Sequence, residues 1–507
     1  EGNFIGTDGT GRLRLGNRYG GVELQSGPGN RVGGFSAGAR NVIAANGQSG
    51  VVLSVPNAWG NQIAGNFIGT DATGTNALGN AFSGVYVAAN SNLVTSNLIS
   101  ANQIHGVYLV TPSANANRIA GNLIGTDLTG TIALGNAGAG VRVDGSNNRI
   151  GGPTTAERNL ISGNVSHGVL LAGAEAKSNW VLGNHIGTGL GGSKALGNGG
   201  AGVAIDGASD NRVGGPAFGE GNLVSGNTNS GILLNQAGAR GNVIQGNRIG
   251  TDAAGTRALA NLFGGVYLYG AVSNQIGGSI PGTGNLVSGN LKVGISIGDA
   301  TATANVLSGN WIGLAADGVS PLGNEWHGIE FLNNTKNNLL TGSESGAPNR
   351  IAFARTPGYD GVRVRDGCTG NQVRGSEFFG NGGAGPNGLG IDLGTDGVTP
   401  NDHCDPDGGA NLQQNFPTLR AFARPDGTLV MASLDSAPGK SYRLHLYSNT
   451  TLEPSGFGEG ERYLGWTDVA LGADCSGHFQ FLLHTQAPVG HYLTATATDP
   501  QGNTSEF

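Results

Sequence analysis

Gly50-Val51-Val52-Leu53, Asn61-Gln62-Ile63 and Asn66-Phe67-Ile68-Gly69-Thr70-Asp71 decide the fold. Each run carries a short apolar stretch opened by Gly or Asn. Gly2-Asn3-Phe4-Ile5-Gly6-Thr7-Asp8 repeats the third run almost letter for letter. Asn92-Leu93-Val94 and Asn97-Leu98-Ile99 repeat the second and third. The opening pattern Gly-(Val/Ile)-x-(Val/Leu/Ile/Phe) returns at Gly21, Gly50, Gly84, Gly106, Gly140, Gly168, Gly202, Gly231, Gly265, Gly294, Gly328, Gly361 and Gly390. Strands this short bury nothing alone. Stacked, with each strand pairing to its copy one turn on, they bury a continuous core. The expected fold is all-β: a right-handed parallel β-helix of about 13 coils, three short strands each, followed by a small antiparallel β-sandwich.

The Asn residues recur where strands begin. Asn tolerates left-handed backbone, and stacked Asn amides bond one another along an axis. Two kinds of insert alternate. One follows the third strand, as in Gly69 to Asn80; the other begins Gly-Gly-Pro, as at Gly151-Gly152-Pro153 and Gly214-Gly215-Pro216. A β-propeller is the rival architecture, but its antiparallel blades need hairpin turns that this sequence lacks.

Composition agrees. Glycine takes 96 and proline 18 of 507 residues, which excludes long helices, and no Gly-X-Y period marks collagen. Charged residues are 12% and the net charge is −7, with no Lys/Arg run, so nucleic acid is not an expected partner. No stretch is apolar enough for a membrane span. The chain opens on Glu1 inside a repeat, without a signal peptide, and reads as part of something longer. Nothing in the sequence sets the oligomeric state. Cys368, Cys404 and Cys475 leave at least one thiol unpaired; whether Cys368 and Cys404 pair stays open.

The repeat resembles the bacterial right-handed parallel β-helix repeat proteins, over roughly residues 1 to 416. That resemblance implies a secreted or cell-surface protein with polysaccharide as partner. The wider fold family holds pectate lyases, polygalacturonases, epimerases, phage tailspikes and adhesins, and sharing a fold does not confer their chemistry. His105, His167 and His327 each precede a repeat Gly, but no accompanying polygalacturonase motif exists. A corner histidine bonded to backbone is the reading preferred for all three.

Residues 1–395 are assigned to the helix, 396–416 to an Asp-rich linker and 417–507 to an immunoglobulin-like sandwich. The sandwich resembles the domain that follows the helix in many of these proteins, and is expected to cover the open last turn. In the linker, Asp405-Pro406-Asp407-Gly408 looks like part of a calcium loop, with Asp402, Asp405 and Asp407 as oxygen ligands. A hydrogen-bonded Asp turn is the alternative. No organic-cofactor fingerprint is present.

The x side chains of Gly-Val-x-Val are expected to face outward in a column. Glu330, Arg363 and Asp392 fall on successive turns of it. Two coil steps separate Glu330 from Asp392 by ~9.6 Å, near the top of the roughly 6.5–9.5 Å span of inverting glycosidases. These three are the candidate catalytic residues. Trp326, His327, Arg365 and Asp360 flank them as candidate substrate contacts, and Tyr86, Tyr108, Asp144 and Asp206 form a second group. A surface salt ladder explains the same charges without chemistry. The function expected is polysaccharide degradation by a glycoside hydrolase, with a neutral polymer such as a glucan suiting the acidic chain. The alternatives are a non-catalytic adhesin or polysaccharide binder, and a calcium-dependent lyase.

Overall fold

The computed structural model describes residues 1–110, 113–342, 346–383 and 388–507. The chain is an all-β right-handed parallel β-helix built from three parallel sheets, followed by two three-stranded antiparallel sheets. It divides into two compact units, residues 1–263 and 264–507.

In residues 1–263 the strands are two to six residues long and pair in register with their copies one coil on. Leu98 and Ile99 pair with Leu123 and Ile124. Val107, Tyr108 and Leu109 pair with Val141, Arg142 and Val143. Arg118 and Ile119 pair with Arg149 and Ile150. Alternation turns one side chain in and the next out. Ile99, Ile119, Val141, Ile150 and Ile161 are fully buried and form the inner columns.

Three files of Asn amides run beside those columns. Asn97 donates to Asn122 and Asn122 to Asn159; Asn102 donates to Asn136 and Asn136 to Asn164; Asn117 donates to Asn148 and Asn148 to Asn179. These ladder residues are not the left-handed ones, contrary to the expectation from Asn conformational tolerance. The residue before most of them carries the positive φ, as at Ser96, Ala101, Ala116, Gly121, Asn147, Gly163 and Ser178; Gly135 and Arg158, before Asn136 and Asn159, do not. That residue makes the sharp corner, and the following Asn then points its amide along the stack. At Gly69, φ is +89° and a Cβ would lie 2.1 Å from the Ser100 carbonyl oxygen. Only glycine fits that coil-to-coil approach.

In residues 264–507 the coil strands Gly264–Tyr269, Val293–Gly298, Ile329–Leu332, Val362–Val364 and Ile391–Leu393 stack in one sheet. The sandwich follows, with Thr418–Arg424, Gly427–Asp435 and Ser476–Leu483 in one sheet and Arg462–Ala470, Ser441–Asn449 and Tyr492–Thr498 in the other. Its core holds Val430, Tyr442, Leu444, Leu446, Leu464 and Ala497. Thr418–Arg424 is an edge strand whose side chains are mostly exposed, without the in-out alternation of its partners.

The sandwich lies against the last coil. Phe507 packs edge-on to Phe378 and Tyr447. Glu459 accepts from both the backbone N–H and the side-chain amide of Asn381, at 2.9 and 2.7 Å. Glu506 accepts from the Leu393 N–H at 2.8 Å. Cys404 pairs with Cys475, not with Cys368, which is a buried free thiol beside the Thr335 hydroxyl. The disulfide therefore ties the linker to the sandwich rather than to the helix.

Candidate functional site

Strand pairing brings Glu330, Arg363 and Asp392 side by side: Glu330 faces Arg363, and Arg363 faces Asp392. They are not solvent-facing as the column rule implied. Glu330, Arg363 and Asp392 are 4, 8 and 1% exposed. Gly358 and Thr395–Val398 line a cavity together with Arg363 and Asp392, and Arg365 lies against Glu330.

The charges sort into two groups. Arg363 donates from Nε and a terminal nitrogen to Asp360, at 2.8 and 2.6 Å, and its terminal nitrogen lies 2.9 Å from an Asp392 oxygen. Asp360 is fully buried and also accepts from the Leu389 N–H. Glu330 instead takes a 2.5 Å bond from Nε of Arg365, the next outward residue of Arg363's strand. His327 accepts the Asp360 N–H on Nδ1 at 3.0 Å. His105 and His167 accept the Ala139 and Ala201 N–H groups in the same way. All three are corner histidines bonded to backbone. Trp326 stacks on Tyr359 at 5.8 Å, with the Lys292 ammonium 5.0 Å from its ring.

Asp392 differs from its neighbours. Neither of its oxygens has a hydrogen-bond partner of good geometry. Its carboxyl is pushed up to about 7, first by burial and then by the charge of Asp360, with Arg363 opposing. It lines a cavity of about 330 Å³ together with Arg363, Asp396, Thr395 and Ser455. Asp396 is therefore the carboxylate that shares a cavity wall with Asp392. It sits where it does because Gly394 has φ +110°, and a Cβ there would fall 2.9 Å from an Asp396 oxygen. Sequence reasoning missed Asp396 and Tyr359, since both lie on corners and loops that have no period to read. The Gly immediately after the strand was the available signal.

The second group stays in part together. Tyr108 donates to Asp144 at 2.8 Å, Arg142 bonds the same carboxylate at 2.9 and 3.2 Å, and Tyr86 packs edge-on to Tyr108. Asp206 is not part of this group; it accepts from Asn235 and Gln236.

In the linker, Asp402, Asp405 and Asp407 bring carboxylate oxygens within 4.8 Å of one another. One oxygen of each is buried without a hydrogen-bond partner. The other Asp405 oxygen is held by Gln414, Asn415 and Ser436. Burial, reinforced by neighbouring carboxylates, raises Asp405 to about 6 and also raises Asp407. Three converging hard oxygens suit Ca²⁺, and no nitrogen or sulfur ligand competes in this cluster. These residues fit the ion expected from the sequence. The Thr-Asp pairs are turn caps: Asp71 accepts from Thr73, from the Thr75 and Asn76 N–H groups and from the Asn76 side chain.

The chain is a right-handed parallel β-helix followed by a C-terminal antiparallel sandwich. No family model matches the sequence, and no curated protein matches it. Among solved structures it is similar to the A-module of the Azotobacter vinelandii mannuronan C-5 epimerase AlgE4, at 13% identity over 79% of this chain and 88% of that one, with TM-score 0.35. The periplasmic alginate epimerase AlgG matches at 13% identity over 69% of this chain, with TM-score 0.32. The chain spans 63% of the length of that epimerase. A tailspike mutant of E. coli bacteriophage HK620, solved with a pentasaccharide, matches at 10% identity over 91% of this chain and 67% of that one, with TM-score 0.35.

Proposed function

We propose that this is a secreted carbohydrate-active protein that hydrolyses a polysaccharide, with Asp392 as general acid. The observation that carries the reading is a buried carboxyl lining a cavity beside Arg363, raised to about 7 chiefly by burial. Such a group donates a proton to a leaving glycosidic oxygen. Asp396, which lines the same cavity, is the partner carboxylate assigned to activate water across the sugar from Asp392. Arg363 holds Asp392 in place, and Glu330, bound by Arg365, supports the sheet edge. Three acidic groups surround one guanidinium here, so a neutral sugar suits the cavity better than a uronate. The disulfide fits an oxidising, extracellular setting.

Two other readings remain in play. A lyase using Arg363 as base is disfavoured, because the buried Asp360 carboxylate, bonded at 2.8 and 2.6 Å, holds its guanidinium in the charged form. A non-catalytic binder is favoured by the Tyr86, Tyr108 and Arg142 platform, which offers rings and a cation but no acid–base pair.

The test is reducing-sugar release and A235 on a panel of neutral and acidic polysaccharides. Asp392→Asn should lower turnover by roughly 10²–10⁴-fold. Wild-type kcat/KM should fall as pH rises through about 7, where the acid loses its proton. Asp396→Asn should remove activity while leaving that limb unobservable, and Glu330→Gln should keep most of it. An Asp392→Asn protein with wild-type turnover refutes the assignment. A rise in A235 without reducing ends from hydrolysis selects the lyase, and retention on polymer without turnover selects the binder.

A further inference from the structure

The third sheet of residues 1–263 carries a feature that the cavity does not use. Arg118, Arg149, Trp180 and Arg212 open four consecutive strands and pair in register, Arg118 with Arg149, Arg149 with Trp180 and Trp180 with Arg212. Their neighbours Ile119, Ile150, Val181 and Val213 are fully buried, so the four point outward. Trp180 is 44% exposed, and the Arg212 guanidinium lies 5.7 Å from its ring centre.

The positive charge on this stripe is only partly answered. Arg118 pairs with Glu157 and Arg212 with Glu220, the latter at 3.5 Å. Both glutamates belong to the Gly-Gly-Pro inserts and are also engaged there: Glu157 accepts from Thr154 and Glu220 from the Ala217 N–H. Arg149 makes no ion pair among the described residues, and its Nε has no hydrogen-bond partner. Burial and then the like charge of Arg118 disfavour its charged form, with the Glu220 carboxylate opposing. Nothing in the coil demands this composition. In residues 264–507 the corresponding outward positions are Gln275, Val306, Leu339 and Gln372.

We infer that the Arg118–Arg149–Trp180–Arg212 stripe binds an acidic polysaccharide, with guanidinium forks on its sugar carboxylates and the Trp180 face on a sugar ring. Guanidinium matches carboxylate in a planar two-point contact. Indole offers the flat apolar face that a pyranose covers. Coil stacking spaces these groups one per ~4.8 Å, so a chain laid along the stack meets one at each step. Nucleic acid fits less well: a chain of net charge −7, with Glu157 and Glu220 beside the arginines, repels a dense phosphate polyanion. The stripe is independent of the Asp392 cavity and stands whether or not that cavity is catalytic.

The experiment is affinity electrophoresis of the full chain in native gels containing polygalacturonate or dextran, with a duplex DNA shift alongside. Polygalacturonate should retard the wild type and dextran should not. Arg149→Gln and Trp180→Ala should each weaken retardation roughly tenfold, the loss of about one good charged or stacking contact. Added salt should weaken it as well. Asp392→Asn should bind as the wild type does, which separates this face from the cavity. Melting curves for each variant show that the coil is intact. Wild-type retardation in a folded Arg149→Gln, Trp180→Ala double variant overturns the proposal. So does equal retardation by dextran, no retardation by either polymer, or tighter binding of DNA than of polygalacturonate.

Discussion

Replacing Asn122 by Ala should open the coil around it at a cost of about 4 kcal/mol. The Asn122 side chain donates to Val94, Ala120 and Asn159 at 2.9, 3.1 and 3.0 Å, and its oxygen accepts from the N–H and the amide of Asn97 at 3.0 and 3.1 Å. Asn122 is fully buried, so water cannot replace these partners. Alanine leaves the Asn97 N–H without an acceptor, which costs about 1–3 kcal/mol. Losing the remaining bonds adds about 0.5–1.5 kcal/mol each, less whatever relaxation recovers. In a stacked repeat the loss concentrates on the coil and its neighbours. Native-state hydrogen exchange reads it directly, at the amides of Leu98–Ile99 and Leu123–Ile124. Asn90→Ala, a half-buried Asn outside the ladders, serves as control and should stay within about 0.5 kcal/mol. A change below about 1 kcal/mol for Asn122→Ala would show that the amide files decorate the coil rather than hold it.

Three further outcomes follow from the C-terminal unit. Adding Ca²⁺ after EDTA treatment should raise the melting temperature, and Asp405→Asn should abolish the rise. Without metal, the Asp405 carboxyl is raised to about 6, so its contribution to stability is complete below its ordinary value near 3.8 and lost as pH rises through 6; Ca²⁺ should matter most above that. Cys404→Ser should cost about 4 kcal/mol, because the disulfide closes a separation of 71 residues, and a reductant should reproduce the loss in the wild type. Burial raises Glu459 and Glu506 to about 8, so their contribution is full below about 4.5 and lost as pH rises through 8. The melting temperature should fall between about pH 4.5 and 8, and the Glu459→Gln, Glu506→Gln double variant should show a shallower fall.

The coil was legible in the sequence because its burial is periodic. Ile99, Ile124 and Ile161 occupy one inner column, and each sits two residues after an Asn. Register followed from the same offsets, which is why Glu330, Arg363 and Asp392 could be placed on adjacent strands. Exposure did not follow, because it depends on which segments lie beside a strand, and a segment such as Thr395–Val398 has no counterpart to compare. The charge groups were likewise read from one sheet only. Arg118, Arg149, Trp180 and Arg212 are as regular as the Tyr column, but they lie on a strand type marked by Asn rather than by Gly-Val. The pairing of Cys404 with Cys475 depended on where the sandwich strand after Cys475 lies relative to the linker, which short-range pattern does not encode.

The amide files also explain why the sandwich meets the helix as it does. Along the files the Asn amides donate toward the next coil and accept from the one before, as in Asn285 to Asn310 and Asn338 to Asn371. The stack therefore has a direction, and its C-terminal end presents donors without acceptors. Ordinary coil strands would satisfy them only by adding another coil. Here the non-coil residues supply acceptors instead. Asn411 takes the Asn371 N–H, Glu459 takes both donors of Asn381, Asn503 takes the Gly370 N–H, Thr504 the Val373 N–H and Glu506 the Leu393 N–H. Each carboxyl accepts from the coil through its oxygens and carries no amide to hand the demand on, so it ends a file where another Asn would pass it onward. The two buried glutamates that look costly as isolated charges are thus the groups that stop strand addition at an exposed parallel edge.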